Sequence, residues 1–318
     1  MSKVAFLFPG QASQYPGMGK ELAEKYAVAR RVFEEADRSA GFSVSKMCFE
    51  GSEEELKQTA NTQPCILTVS IAVYRVLYEK GFQPQFVAGH SLGEYSALVA
   101  VGSLKFEDAV HLVRQRGTFM QDAVPSGAGA MAAILGLSHA QVGDICKKAS
   151  DDEHVSPANL NTPEQTVISG SATAVKRAVE IASQSGAKRA VILPVSAPFH
   201  CSMMQPAQAK MEPLLRATKF ADLRVPLITN VDAEDITKGD EAREALIRQI
   251  TAPVRWEESI REMLDQGVNT FVEVGPGRVL SGLLRQIDRS VHSFNVEDEA
   301  SLANVQAKFS QLSTEASD

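Results

Sequence analysis

The chain has 318 residues, enough for one large hydrophobic core with a smaller insertion or for two modest domains. Hydrophobic residues make up 44% and charged residues 22%, the composition of an ordinary folded globular protein. Because 39 acidic side chains stand against 32 basic ones, the net charge is -7 and nucleic acid is not expected as the main partner. No apolar run reaches membrane-spanning length and no cleavable leader opens the sequence, so we expect a cytoplasmic protein without a membrane partner.

The first part of the chain alternates between strand-like and helix-like segments. Short apolar runs that stop at glycine or proline predict buried strands, and apolar residues at steps of three and four predict helices. The predicted strands are 4–8 and 86–88, and the predicted helices are 22–36, 64–80, 93–100 and 107–123. This alternation favours a mainly parallel sheet with helices on both faces.

The pattern changes at a linker of small residues, 125–129. Beyond it, strands at 131–135, 155–160, 165–169 and 189–195 enclose two helices, the first opened by Ser138 and Gln141 in a capping-box pattern. The order βαββαβ is ferredoxin-like. After Pro198 the α/β pattern returns, with a helix at 203–217, strands at 226–230 and 270–274, and Gly275-Pro-Gly277 opening another helix. We therefore predict an α/β protein in which residues 1–126 and 197–318 form a large domain and 127–196 an inserted ferredoxin-like domain.

A Gly-x-Ser-x-Gly pattern at 89–93 is the most informative short motif. It lies between a predicted strand and a predicted helix, where it forms a tight turn that exposes the serine oxygen. The amide after the serine is placed to donate to an oxyanion. The alternative is an ordinary strand-to-helix turn with a capping serine. We take Ser91 as the candidate nucleophile.

A serine nucleophile needs a base, and the chain has six histidines. His90 adjoins Ser91 but is expected to pack or cap, because it points away along the turn. Four others lie in charged or polar segments typical of a surface: His111, His139, His154 and His292. His200 lies in a rigid proline-containing turn, which makes it the candidate general base, although a lone histidine in a turn is also typical of a structural residue.

Arg116 falls on the apolar stripe of the helix predicted at 107–123, whereas Arg114 falls on its polar side. An arginine on an apolar face either extends its charge to solvent or pairs with a carboxylate. If that carboxylate belongs to a substrate, the substrate is a carboxy-acyl group. The loop that follows the first strand carries Gln11, whose amide is a candidate second oxyanion donor; the alternative is a plain loop.

Taken together, these motifs make the chain resemble the malonyl-CoA:acyl-carrier-protein transacylase family. The matching segments span nearly the whole chain: Phe8-Pro-Gly-Gln11, Thr62-Gln63-Pro64, Gly89-His-Ser-Leu-Gly-Glu94, Arg116, Asn159-Leu-Asn161, Pro198-Phe-His-Cys201, Asn230-Val231, Gln249, Pro253-Val-Arg-Trp256 and Glu273-Val-Gly-Pro-Gly277. The resemblance implies an α/β-hydrolase-like large domain with a ferredoxin-like insertion.

The resemblance also implies roles for individual residues. Ser91 would be the nucleophile and His200 the base, oriented by the backbone carbonyl of Gln249. The amides of Gln11 and Leu92 would form the oxyanion hole. The residues implied at the substrate site are Arg116, on the malonyl carboxylate, and Gln63, Asn159, Asn161, Met120, Phe199 and Gln249. The substrates would be malonyl-CoA and the phosphopantetheinylated acyl carrier protein, with no bound cofactor and no metal.

One position departs from the family pattern. Ala12 stands where the family usually has glycine, which costs on the order of 1 kcal/mol if that residue needs a positive φ. Three other functions stay open at this point: a serine thioesterase or esterase, a non-catalytic carrier-protein docking module, and an acyltransferase of polyketide synthesis. No long exposed apolar stripe is evident, so we expect a monomer.

Overall fold

The computed structural model describes the backbone of residues 3–195 and 197–315, and side chains as far as Phe309. In chain order the strands are β1 Lys3–Phe8, β2 Phe86–Gly89, β3 Gly129–Leu135, β4 Val155–Thr162, β5 Gln165–Ser171, β6 Arg189–Ile192, β7 Leu227–Ile228, β8 Asp235–Ile236, β9 Val268–Val274 and β10 His292–Val296. The helices are α1 Lys20–Lys25, α2 Ala27–Ser39, α3 Val44–Glu50, α4 Glu53–Lys57, α5 Thr59–Glu79, α6 Gly93–Ala100, α7 Phe106–Gln121, α8 His139–Ser150, α9 Ala172–Gln184, α10 Gln205–Ala217, α11 Gly239–Gln249, α12 Trp256–Asp265, α13 Val279–Ile287 and α14 Glu299–Glu315.

The large sheet has the strand order β10-β9-β1-β2-β7-β8, and only the short β8 pairs antiparallel. Both faces are covered, because alternate residues of β1 enter two different apolar clusters. Phe6 and Phe8 pack into the main core, whereas Ala5 and Leu7 pack into a second core on the opposite face. This is the expected mainly parallel sheet, in which β1 and β2 lie side by side and end together at Phe8 and Gly89.

The inserted sheet is antiparallel and has the order β4-β5-β3-β6, with α8 and α9 packed on it over a separate core. This is the strand order of a ferredoxin-like unit, so the predicted fold class is confirmed. The capping box at Ser138 and Gln141 opens α8 as predicted. The exact domain boundaries stay a prediction, and the residue at 196 lies outside the described part of the chain.

Two helices differ from their predictions. The helix expected at 22–36 is broken at Tyr26, whose extended backbone ends α1 before α2 begins. The helix expected from residue 64 begins at Thr59 and carries Pro64 inside it. Proline has no N–H, so the Ala60 carbonyl is left free within the helix and accepts a hydrogen bond of 2.7 Å from Arg114 Nη1 instead. Within the described residues, no helix combines the length and the apolar character needed to span a membrane.

Candidate active site

The Gly-x-Ser-x-Gly segment forms a sharp turn between β2 and α6. Ser91 occupies its apex with φ of 52°, a left-handed conformation that is rare for a residue with a side chain. A Cβ on Gly89 would lie 1.9 Å from the Gly93 carbonyl carbon, and one on Gly93 would lie 2.0 Å from the Phe8 carbonyl oxygen. Both glycines are therefore required for α6 to pack against the ends of β1 and β2, which holds Ser91 at the carboxyl edge of the sheet.

His200 approaches Ser91 from the segment that precedes α10. Its Nε2 lies 2.7 Å from Ser91 Oγ, and its Nδ1 lies 2.9 Å from the backbone oxygen of Gln249. Since a carbonyl only accepts, Nδ1 carries the proton and Nε2 is left free to accept from the serine hydroxyl. Gln249 ends α11, where the last carbonyls have no partner inside the helix, so its oxygen is available to the imidazole.

The environment keeps His200 neutral. The ring is 3% exposed, and burial, reinforced by the positive charge of Arg116, lowers the pKa of His200 to about 3. The hydrogen bond that Nδ1 donates to the Gln249 backbone oxygen opposes this shift but does not cancel it. The imidazole therefore stands as an unprotonated base at neutral pH.

Arg116 is completely buried and lies beside the serine. Its Nη2 donates to Ser91 Oγ at 3.1 Å and to Gln249 Oε1 at 2.9 Å, and its Nη1 donates to Gln63 Oε1 at 3.0 Å. All three acceptors are neutral, and Nε has no acceptor among the described residues. The buried Glu94 is linked to the guanidinium only through the Gln249 side chain, so among the described residues no carboxylate contacts Arg116 directly, which is costly for a buried cation.

A network behind the serine fixes the Gln249 side chain. Its Nε2 donates to the Ser91 carbonyl oxygen at 2.9 Å and to Glu94 Oε2 at 3.0 Å. Asn230 completes the network: its Oδ1 accepts from the Ser91 amide at 2.7 Å, and its Nδ2 donates to the Gly89 carbonyl at 2.7 Å. The sequence motifs contained Glu94 and Asn230, but no role had been assigned to either residue.

The amides of Gln11 and Leu92 are the predicted oxyanion donors. Gln11 follows β1, and Leu92 is the cap residue that starts α6. Within the described part of the chain, neither amide has a protein acceptor. The loop after Gln11 is strained, because Ala12 has φ of 82°, the condition under which alanine costs on the order of 1 kcal/mol relative to glycine.

The remaining predicted site residues fall into two groups. Gln63 contacts Arg116 directly, and Asn161 Oδ1 lies 2.9 Å from His90 Nε2, which ties the serine turn to the inserted sheet. The other group makes no side-chain hydrogen bond to Ser91 or His200 among the described residues: Asn159 in β4, whose Oδ1 has no partner there, and the core residues Met120 and Phe199. The substrate contacts of this second group stay predictions.

One histidine packs as expected and one differs from its prediction. His90 is half-buried and packs with its ring 5.4 Å from that of Trp256, in line with a packing role. His139 was expected at the surface, but its side chain is only 24% exposed. It bridges Thr166 and Glu257 at 2.6 and 2.9 Å.

The family assignment follows from comparison with known proteins. The acyl transferase domain family matches residues 5–314. The chain belongs to this family. It is 51% identical over 299 residues to a malonyl CoA-acyl carrier protein transacylase of Bacillus subtilis, which covers 94% of each chain. It is 45% identical over 304 residues to the transacylase of the same name from Escherichia coli K12, covering 95% of this chain and 98% of the relative.

Solved structures agree with this assignment. A malonyl CoA-acyl carrier protein transacylase from Clostridium perfringens superposes with a TM-score of 0.96 at 40% identity, covering 100% of both chains. A malonyl-transacylase solved in complex with its type II PKS acyl-carrier protein superposes with a TM-score of 0.93 at 43% identity, covering 95% of this chain and 98% of that one.

Proposed function

We propose that this acyltransferase transfers a malonyl group from malonyl-CoA to the phosphopantetheine thiol of an acyl carrier protein through a malonyl-Ser91 intermediate. The observation that carries the proposal is the buried Arg116, which donates to the nucleophile and to two neutral amides but has no carboxylate in direct contact among the described residues. The names of the similar proteins support the same substrates.

In the first half-reaction His200 removes the proton from Ser91 as Oγ attacks the thioester carbonyl. The negative oxygen of the tetrahedral intermediate is held by the amides of Gln11 and Leu92, which lack protein acceptors among the described residues. The intermediate collapses when the carbon–sulfur bond breaks, and the imidazolium gives its proton to the departing CoA thiolate. The product is a malonyl ester on Ser91.

The second half-reaction repeats these steps with a different thiol. The phosphopantetheine thiol gives its proton to His200 and attacks the ester carbonyl through the same oxyanion site. The carbon–oxygen bond to Ser91 then breaks, and the proton on His200 returns to the serine oxygen. Since the first product, CoA, leaves before the carrier-protein thiol reacts, the kinetics are ping-pong.

Arg116 selects the acyl group by charge. The free carboxylate of a malonyl group supplies the counter-charge that the three neutral acceptors do not, and it would pair with the guanidinium in a bidentate fork. An acetyl group brings no carboxylate to Arg116, so acetyl-CoA is expected to be a poor donor.

Intact-mass spectrometry tests the proposal. The protein is incubated briefly with malonyl-CoA or acetyl-CoA and then chased with phosphopantetheinylated carrier protein. We expect a malonyl adduct that moves to the carrier, weak acetyl labelling, and no adduct on Ser91→Ala. An adduct that decays to free malonate without reaching the carrier would identify a hydrolase, and the absence of any adduct would contradict the catalytic role of Ser91.

The proposed partner is the acyl carrier protein, supported by the complex formed by the similar type II PKS transacylase. We further propose that the chain acts as a monomer in the cytoplasm. Sedimentation velocity at micromolar concentration tests the monomeric state, and a dimer that persists on dilution would contradict it.

A further inference from the structure

Among the buried acids that the mechanism above does not use, Glu94 lies beside the active-site network. Glu94 lies in the first turn of α6 and is 1% exposed. Its Oε2 accepts from the Asn230 amide and from Gln249 Nε2, both at 3.0 Å. Its Oε1 has no partner among the described residues. A buried carboxylate with an unpaired oxygen is costly, so its position next to the active-site network requires an explanation.

The side-chain amide of Gln249 lies between Glu94 and Arg116 and is hydrogen-bonded to both. The Gln249 side chain donates from Nε2 to Glu94 and accepts at Oε1 from Arg116 Nη2. An amide between an anion and a cation has one favourable orientation, with its N–H groups toward the anion. The carboxylate thus fixes the orientation of Gln249, and Gln249 in turn aims the guanidinium at Ser91.

The charges around Glu94 are few. Arg116 of α7 faces it across the amide, and Tyr95 follows it in α6. Asp232, after β7, and Arg248, of α11, also act on it but are paired with each other at 2.8 Å. Burial raises the pKa of Glu94 to about 7, against the opposing effects of the Asn230 and Gln249 hydrogen bonds and of Arg116. Near neutral pH, the protonated and ionised forms are therefore both populated.

A malonyl group bound at Arg116 would bring a second negative charge into the same buried region. One arginine would then face two carboxylates, and the ionised form of Glu94 would compete with the substrate for it. At a separation of about 8 Å and an effective dielectric constant of about 20, this repulsion changes affinity on the order of tenfold.

We propose that Glu94 is a specificity-determining positioning residue: it is the counter-charge of Arg116 in the free enzyme, acts through Gln249, and takes up a proton when the malonyl carboxylate binds. The inference rests on the proposed function, because it needs a carboxylate-bearing donor. The ionisation of Glu94 should therefore affect the reaction with malonyl-CoA but not the reaction with acetyl-CoA.

The test is the ratio of kcat/KM for malonyl-CoA to kcat/KM for acetyl-CoA between pH 6 and pH 9. Both donors carry the same CoA phosphates and use the same imidazole, so the ratio removes those titrations. In the native protein we expect the ratio to fall by on the order of tenfold as Glu94 ionises. In Glu94→Gln the ratio should stay flat.

Glu273→Gln is the matched control. Glu273 is also 1% exposed and its carboxylate also accepts two hydrogen bonds, here both from backbone amides, of Leu280 at 2.9 Å and Ser281 at 2.7 Å, but it caps α13 and has no hydrogen bond to Gln249 among the described residues. This variant should retain the pH-dependent ratio of the native protein.

Two results would overturn the inference. One is a ratio that does not change with pH in the native protein, a measurement that needs no variant and decides the matter even if Glu94→Gln fails to fold. The other is a Glu94→Gln variant that loses activity equally with both donors and keeps the native pH dependence, since that is a purely structural effect. Failure of the proposed function is distinguished by the absence of a malonyl adduct on Ser91.

Discussion

Arg116 is held beside the nucleophile by oxygen atoms that carry no charge. Glutamine and serine oxygens fix its position without neutralising it, which leaves the cation available to a substrate carboxylate. The same cation lowers the pKa of His200 and opposes the rise in the pKa of Glu94. In the mechanism proposed above, one residue therefore affects both substrate binding and proton transfer.

Replacing Arg116 by alanine should abolish the preference for malonyl-CoA. A hydrogen-bonded charge pair contributes about 1.5–3 kcal/mol, so the ratio of kcat/KM for malonyl-CoA and acetyl-CoA should fall by roughly one to two orders of magnitude. Arg114→Ala is the control, because Arg114 lies in the same helix but donates to Ala60 and Asn61. If Arg116→Ala still strongly prefers malonyl-CoA, the carboxylate binds elsewhere.

The same substitution should raise the pKa of His200. Burial, the larger cause, remains in Arg116→Ala, so the pKa should rise from about 3 but stay below the ordinary value of 6.5. Imidazole NMR signals followed between pH 3 and pH 8 measure the shift, with His200→Asn providing the assignment. An unchanged or lowered pKa would show that Arg116 does not act on the imidazole electrostatically.

Sequence patterns located some site residues and not others, for a physical reason. Arg116 stood out because it breaks the apolar stripe of α7, and Ser91 because of its flanking glycines. Glu94 gave no signal of its own, because its burial depends on Asn230 and Gln249, which lie far along the chain. Periodicity reports which face of a helix is covered but not which distant polar groups cover it.

At the scale of secondary-structure elements, the turn that carries Ser91 is packed so closely that its two glycines leave no room for a side chain. Gly93→Ala should lower the free energy of unfolding by about 1–3 kcal/mol or abolish folding, because its Cβ would lie 2.0 Å from the Phe8 carbonyl oxygen. Gly143→Ala is the control, since Gly143 lies within α8 with no atom within 4 Å of the added carbon.

Urea denaturation measures both variants. Gly143→Ala should be about 0.5–1 kcal/mol more stable than the native chain, because alanine favours a helix interior. A Gly93→Ala variant with native stability and a full malonyl adduct would show that the turn can move away from β1.

The order of the main helices and strands could be predicted from the sequence, but the residues at which some helices begin and end could not. The break at Tyr26 leaves the apolar pattern continuous, so periodicity alone predicts one helix. The sequence predicts too late a start for α5 because proline usually marks the beginning of a helix, whereas here Arg114 donates a hydrogen bond to the Ala60 carbonyl. Both differences depend on contacts made by residues outside the helix.

At the scale of the whole molecule, His139 connects the inserted sheet to a helix that packs on the large sheet. It opens α8, contacts Thr166 of β5, and reaches Glu257 of α12, which also pairs with Arg261 at 2.6 Å. His139→Ala should lower the free energy of unfolding by about 1–3 kcal/mol, because in a half-buried site Thr166 Oγ1 loses its partner and Glu257 keeps only Arg261. Hydrogen exchange in β5 should also become faster.

His111→Ala provides the comparison for this prediction. His111 is exposed on α7, so its loss should change the stability by no more than about 0.5 kcal/mol. Equal effects of the two substitutions would contradict the linking role of His139.

The position of β1 between β2 and β9 has a consequence for a chain still being made on the ribosome. The first strand pairs with residues near Val268, so the central strand of the large sheet stays half-paired until most of the polypeptide has emerged. The inserted sheet, in contrast, draws all its strands from 129–192 and can form earlier. Ser91 likewise meets its imidazole and the Gln249 carbonyl only late in synthesis. An unfinished chain therefore carries the serine before it has the imidazole and the carbonyl that lie against it.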